Sequence, residues 1–385
     1  MRIAMIGQKG MPASFGGVER HVHDLAASLV TLNHQVTVYG RSWYTWKKGT
    51  IQVDGVEVVH IPSIHTKHLD TISHTLFSTI HALLQGYEVI HYHGVGPALL
   101  SWIPRIFSRK TTVITTFHSI DRTHQKWGRF ARLILKLGEM AAVRFAHHTI
   151  TVSRSLEWYC QKEFALPTVY IPNGVRPLEK TKNLVILNKL GLVSNQYLIM
   201  VSRLVSHKGA HILIDAFTQF KQKNPHLAQL KLVIVGGSVH TDDYVAELQA
   251  MCTPDIIMAG FQTGVDIQAL YQNAIALVHP SLSEGLPITV LEAMNNSKPV
   301  LLSDIPEHLE IGTDSRFIFK RGNPEALANT LTNFFTINQE ERDQIGEANE
   351  FIIETHYRWS HLVPQILAVY AGQVSNNPET ILVTV

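Results

Sequence analysis

The chain is expected to fold as two α/β domains in series, each a parallel sheet wound on both faces by helices. Three observations lead there. Its 385 residues exceed what one ordinary core organises. Short β-branched apolar runs alternate with amphipathic stretches along the whole chain, the pattern of strands covered on both faces. That alternation is interrupted by a segment rich in turn formers, Ile171-Pro-Asn-Gly-Val-Arg-Pro177, which places a linker there. The expected domains are 1–175 and 176–356.

In the first domain, strands are expected at 2–6, 35–39, 89–92, 112–116, 148–152 and 169–171. Helical patterns lie between them at about 18–30, 74–85, 95–108, 124–146 and 155–163. The second domain has strands at 198–202, 231–235, 256–259, 275–278 and 300–302, and helices near 208–222, 243–251, 265–273, 288–296 and 324–336. Two further helices, about 340–354 and 358–371, end the chain. In doubly wound sheets, ligands bind at the carboxyl ends of the strands, where strand order reverses. Two such domains facing each other would form one deep cleft lined by loops from both.

The composition is that of a water-soluble protein, 45% hydrophobic and 17% charged. The apolar run at 3–6 is too short for a signal peptide and is broken by Gly7 and Gly10. No stretch reaches the ~20 apolar residues of a membrane span. The expectation is therefore a cytoplasmic protein. Cys160 and Cys252 are far apart and form no CxxC pattern, as expected of reduced thiols. The net charge of +2 is unevenly spread: residues 1–175 carry +8 and the rest −6. A basic first half suits an anionic partner such as a membrane surface or a phosphorylated lipid; a solvated surface of uneven charge is the plainer reading.

The chemistry concentrates in two loops of the second domain. In Glu284-Gly-Leu-Pro-Ile-Thr-Val-Leu-Glu292, Pro287 suits the first turn of a helix. The N–H groups of that turn suit an anion. Glu284 and Glu292 repel phosphate but accept hydrogen bonds from sugar hydroxyls. Acids beside an anion site thus point to a ligand with phosphate and polyol parts. The second loop, Ser202-Arg203-Leu-Val-Ser-His-Lys208-Gly209, follows a strand and supplies a guanidinium fork and a mobile ammonium. Arg203 and Lys208 can neutralise a diphosphate as negative charge builds on it.

In the first domain, Gly7, Gly10, Gly16 and Gly17 follow the first strand, where glycine permits positive φ and close backbone approach. Their spacing is not G-x-G-x-x-G, so a dehydrogenase reading loses its main support. Glu19, just inside the next helix, either favours that helix terminus or faces the cleft. His118 follows a strand and can donate to a sugar oxygen or shuttle a proton; a histidine bonded to backbone is the alternative. His93, at another strand end, is a candidate for the acceptor side.

The 22 histidines invite a metal reading, with pairs at His21/His23, His91/His93 and His147/His148. None shows the ligand combination of a structural or catalytic metal site. A D-x-D element for a metal–diphosphate complex is also absent, so neither a metal nor a resident cofactor is expected. The stretch 126–136 is basic and amphipathic, with Arg129, Arg132 and Lys136 at helical spacing. It reads as a solvated helix face or as a face lying on an anionic bilayer. No nucleic-acid motif accompanies it.

Taken together, E-x7-E at 284–292, R-x4-K at 203–208, Pro172-Asn173-Gly174-Val175 and Gly16-Gly17-Val18-Glu19 resemble the retaining glycosyltransferases of family 4, the group 1 transferases. The resemblance runs from Met1 to about Tyr370. It implies the GT-B fold, two Rossmann-like domains with acceptor on the first and donor on the second. It also implies that the last helix, about 357–385, packs back on the first domain. Arg203 and Lys208 would bind the donor diphosphate. Glu284, with the amides of Gly285 and Leu286, would hold the transferred sugar, and Glu292 the ribose. Gly236 and Gly237 would approach the donor, with Gly260 and Phe261 beside the base. Gly16 and Gly17 would close over the phosphates, and His118 would sit near the reacting sugar. The implied partners are a nucleotide-diphosphate-sugar and a glycan or lipid-linked acceptor, with peripheral contact to an anionic membrane. Two other readings compete, a nucleotide-sugar epimerase and a non-catalytic sugar-nucleotide-binding subunit. The R-x4-K and E-x7-E combination argues against both.

Overall fold

The computed structural model describes residues 1–66, 69–123, 128–238 and 241–373. The chain divides into two compact units. Unit 1 is Met1–Gly174 with the described residues from Trp359 on, and unit 2 is Val175–Arg358.

Unit 1 is built on an eight-stranded sheet: β1 (Arg2–Ile6), β2 (Gln35–Gly40), β3 (Thr50–Val53), β4 (Val56–His60), β5 (Val89–His93), β6 (Thr112–Phe117), β7 (His148–Thr151) and β8 (Val169–Tyr170). Their order is β3-β4-β2-β1-β5-β6-β7-β8. All pairs are parallel except β3 with β4. Successive β1 side chains point to opposite faces, and both faces are covered. Ile3 and Met5 join one core with Val22, Leu25 and Leu29 of the helix Gly17–Thr31. Ala4 and Ile6 join another with Ala82 of the helix Asp70–Gln85. The helix Trp359–Tyr370 completes the first core with Trp359, Leu362, Val363, Ile366 and Tyr370.

Unit 2 has a six-stranded parallel sheet: β9 (Tyr197–Val201), β10 (Lys231–Val235), β11 (Ile256–Gly260), β12 (Ala276–His279), β13 (Val300–Ser303) and β14 (Ile318–Phe319). Their order is β11-β10-β9-β12-β13-β14. Its main core packs the helices Ala210–Lys223 and Pro324–Thr336 through Phe217, Phe220, Leu331 and Phe334. Each buried phenylalanine there contributes roughly 1.5–3 kcal/mol.

Strand order reverses at β1, which lies between β2 and β5, and at β9, which lies between β10 and β12. Ligand loops are therefore those after β1 and β5, and after β9 and β12.

Three sequence expectations change in detail. The helix expected at 95–108 is two pieces, Val95–Ala98 and Trp102–Phe107. Pro104 lacks an N–H and is best accommodated in a first turn, where the second piece places it. Pro287 is the N-cap of the helix Ile288–Asn295, one residue outside the first turn expected for it. The helix expected at 124–146 is described as Arg129–Arg144; residues 124–127, with Lys126 and Trp127, lie outside the described residues, as does 374–385 of the last segment. The hairpin β3–β4 went unexpected. Its turn is Asp54-Gly55, at φ 50 and φ 76, the left-handed pair of a tight hairpin. No helix among the described residues is long and apolar enough to cross a membrane.

Candidate functional site

In unit 2, the loops after β9 and β12 are docked to each other. The Leu282 N–H donates to His207 O at 2.8 Å, and Ser281 Oγ donates to the same oxygen at 3.2 Å. Gly209 adopts φ +75, and a Cβ there would lie 2.3 Å from the Pro280 carbonyl oxygen. Glycine thus permits both the turn and the contact. That docking brings Lys208 to Glu284. Lys208 Nζ donates to both Glu284 oxygens, each at 2.5 Å. His279, the last residue of β12, places Nε2 2.9 Å from Glu284 Oε1. The three side chains are almost wholly buried.

Burial alone raises the Glu284 carboxyl, but Lys208 and His279 outweigh it and hold the carboxyl well below its usual range. Burial lowers the Lys208 ammonium, an effect that Glu284 opposes and neighbouring Arg203 reinforces. Since the ionised carboxylate only accepts, His279 Nε2 is the donor. The guanidinium of Arg203 is exposed, and it makes no hydrogen bond or ion pair among the described residues. The arrangement is a cationic pair of which one member is clamped to an acid and the other faces water.

The neighbouring loops join this edge. Gly236 N–H donates to Gly260 O at 2.9 Å, and Leu204 N–H donates to Gly237 O at 3.1 Å. A Cβ on Gly236, at φ +153, would lie 1.8 Å from Ser202 O, so this glycine is needed where two loops touch. A Cβ on Gly237 would lie 3.8 Å from Phe261, which is half exposed. Gly285 and Leu286 are buried just ahead of the helix Ile288–Asn295. Glu292, on that helix, accepts from Tyr271 Oη at 3.2 Å. The structure thus joins Lys208, Glu284 and His279 directly, and Gly236, Gly237, Gly260 and Phe261 in contiguous loops. Glu292 has a separate partner in Tyr271.

In unit 1, Gly16 has φ +105, and a Cβ there would lie 1.9 Å from Glu19 Oε2. Gly17 opens the following helix. Glu19 is buried, and its Oε1 accepts the Lys9 N–H at 3.2 Å. Its carboxylate therefore ties down the loop after β1. His93 ends β5, and His118 follows β6 on the neighbouring strand. Their Nδ1 and Nε2 atoms are 3.3 Å apart, with the rings stacked at 5.6 Å.

His21, at the start of the second turn of the helix Gly17–Thr31, completes this cluster, its ring centroid 4.8 Å from that of His118. Its Nδ1 lies 2.9 Å from Asn173 Oδ1. Burial lowers His21 to about 4, offset in part by Asn173. Burial, then the other histidines, lowers His93 and His118 well below the ordinary value. All three are therefore neutral imidazoles near pH 7. His91 faces differently, with Tyr370 Oη 2.8 Å from Nδ1 and Thr116 Oγ1 2.7 Å from Nε2.

His279, His21 and Asn173 were not read as site residues from the sequence. His279 carried a usable signal, a titratable group at the carboxyl end of a parallel strand. His21 carried none, because only the strand order brings its helix beside β5 and β6. On the helix Arg129–Arg144, Phe130, Leu133, Ile134, Leu137 and Met140 are exposed large apolar residues. A pocket beside them is lined by Arg122, Arg132, Leu133 and Lys136.

Comparison with known proteins bears on both units. Residues 186–350 match the family described as glycosyl transferases group 1, and residues 15–177 match glycosyltransferase family 4. An uncharacterized glycosyltransferase of Methanocaldococcus jannaschii is 25% identical over 405 residues, covering 96% of this chain and 98% of the other. The O-antigen chain mannosyltransferase RfbU of Salmonella typhimurium is 26% identical over 258 residues, covering 65% of this chain and 66% of the other. The solved structure of Anabaena HepE in complex with UDP and glucose superposes with a TM-score of 0.78 at 22% identity, covering 97% of this chain and 100% of the other.

Proposed function

Because the chain belongs to the group 1, family 4 glycosyltransferases and has their GT-B fold, we propose that it transfers a hexosyl group from a nucleotide-diphosphate-sugar to a hydroxyl acceptor, with retention and without a metal ion. The observation that carries this reading is the buried Lys208–Glu284–His279 cluster, set beside exposed Arg203 at the strand-order reversal of unit 2. An entering diphosphate draws Lys208 and Arg203 to its oxygens and neutralises the charge that builds as the glycosidic C–O bond breaks. Glu284, released from Lys208, accepts hydrogen bonds from hydroxyls of the sugar, beside the amides of Gly285 and Leu286. Glu292 holds the ribose, and Gly236, Gly237, Gly260 and Phe261 line the nucleotide. In unit 1 we assign donor contacts to Gly16, Gly17 and a neutral His118, and an acceptor contact to His93. The acceptor oxygen bonds the anomeric carbon on the face the phosphate leaves, and its proton passes to that phosphate.

The acceptor we propose is a glycan or lipid-linked intermediate of cell-surface polysaccharide or glycolipid synthesis, as the name of RfbU suggests for that relative. The exposed apolar and basic residues of the helix Arg129–Arg144 support peripheral contact with an anionic membrane at its cytoplasmic face. The test is a thermal-shift series with nucleoside diphosphates and their sugars, in chelator throughout. A donor that binds the native state raises the midpoint with its concentration. The proton spectrum of the product then reports the anomeric configuration. No shift with any nucleotide, or transfer that stops in chelator, overturns the reading.

A further inference from the structure

We propose that unit 1 carries a binding site for one borderline transition-metal ion of the Zn2+ class, formed by His21, His93 and His118 and separate from the donor diphosphate. Among the described residues, these three side chains form a group whose ligand nitrogens all lie within 4.8 Å of one another. A Zn–N bond of about 2.0–2.1 Å in a tetrahedron sets nitrogens about 3.3–3.4 Å apart. His93 Nδ1 and His118 Nε2 already stand at 3.3 Å. The third nitrogen lies within 4.8 Å of the other two and closes to about 3.4 Å in a tetrahedral set.

The cluster differs from ordinary packed rings in how His21 is held. Nε2 of His21 is buried without a hydrogen-bond partner. Buried polar atoms are rarely left so. Moreover, His21 is oriented from behind. Its Nδ1–H donates to Asn173 Oδ1 at 2.9 Å, which leaves the Nε2 lone pair bare. A ligating imidazole held by an outer carbonyl in this way is the usual arrangement of protein metal sites. The donor set is all imidazole nitrogen, which suits Zn2+, Co2+, Ni2+ or Cu2+ and not Mg2+ or Ca2+. The three residues come from a helix and two strand ends packed in one unit, so the backbone positions are fixed before any ion arrives. His91, by contrast, has both nitrogens engaged and stays outside the set.

The test uses the full chain, stripped with chelator and desalted, and titrated with Co2+ alone. The expected result is one equivalent bound with the visible d–d bands of a four- or five-coordinate nitrogen site. Those bands disappear in His21→Asn and His93→Gln, and survive in His226→Asn, a surface control in unit 2. Zn2+ raises the unfolding midpoint of the wild type and not of the two site variants, whose circular dichroism establishes that they fold. If either site variant fails to fold, Asn173→Ala gives the answer through its positioning role. It binds Co2+ roughly tenfold more weakly with the same band shape. Absence of the bands in the wild type, or bands and affinity unchanged in folded variants, overturns the site. No donor sugar is present, so the result is independent of the glycosyl-transfer reading.

Discussion

Lys208 Nζ sits 2.5 Å from each carboxylate oxygen of Glu284, and the pair is buried. Removing one partner leaves the other charged in a site shielded from water. Lys208→Ala should therefore cost about 3–5 kcal/mol of stability, and should lower transfer by about 10²–10³-fold through loss of charge neutralisation. Lys208→Met combined with Glu284→Gln should recover most of the stability and none of the activity. Urea unfolding and initial transfer rates measure the two effects separately. A double variant with restored turnover would remove Lys208 from the chemistry.

Glu292 is held by Tyr271 Oη at 3.2 Å. If that carboxylate grips the ribose, Glu292→Ala should weaken nucleotide binding by about tenfold or more, the worth of one charge-assisted hydrogen bond. Tyr271→Phe should give a smaller loss in the same direction. Calorimetric titration with the nucleoside diphosphate identified by thermal shift checks both.

The loops of unit 2 give a glycine contrast. Gly236→Ala forces a Cβ to within 1.8 Å of Ser202 O, whereas at Gly260, with φ +66, nothing lies within 4 Å of the added atom. Gly260→Ala should cost only the left-handed strain of about 1–2 kcal/mol. Gly236→Ala should cost more, and should also impair nucleotide binding because the loop after β9 must shift. Equal midpoints for the two variants in chemical denaturation would contradict this account.

Acid sensitivity has a defined sign. Burial lowers His74 to about 4 and His308 to about 3, from an ordinary 6.5. Below pH 6.5 the unfolded chain binds protons that the native chain refuses. Stability is therefore level above about pH 7 and falls as pH drops from 6.5 toward the native values. Each such histidine contributes about 1.4 kcal/mol per pH unit in that window. His74 packs beside Arg41, Asp70 and His60, and Arg41 reinforces the effect of burial. His74→Gln, whose amide can still donate to Gly40 O, should lower the slope by about one proton. Denaturation midpoints at pH 7 and pH 5 measure it.

If the helix Arg129–Arg144 lies on an anionic bilayer, Arg132→Glu with Lys136→Glu should reduce partitioning to anionic vesicles by roughly tenfold or more. Neutral vesicles should show no such difference. Sedimentation with the two vesicle types is the measurement, and transfer to a short soluble acceptor should be unaffected.

Most of the fold was legible in the sequence because both sheets are buried on two faces, which turns each strand into a short apolar run between turn formers. The Asp54-Gly55 hairpin went unread, because its flanking strands are half exposed and lack that signature. The two-residue β14 was not legible, since Ile318–Phe319 is too short to show a periodicity of its own. Within the site, Arg203, Lys208 and Glu284 stood out as charges next to strand ends. The His279 contact and the His21–His93–His118 cluster required strand order, which no local pattern carries.

Unit 1 is covalently discontinuous. The chain leaves it after Gly174 and re-enters at Trp359. The two crossings are fastened on the unit 2 side, where the Val175 N–H donates to Tyr357 O at 2.8 Å and Val175 forms a parallel bridge with Arg358. During synthesis the ribosome therefore releases a first half that lacks Trp359, Leu362, Val363 and Ile366, four buried members of its core. The inserted half has all of its own strands before those residues emerge. Unit 2 can therefore close its core during synthesis before unit 1 receives these four side chains.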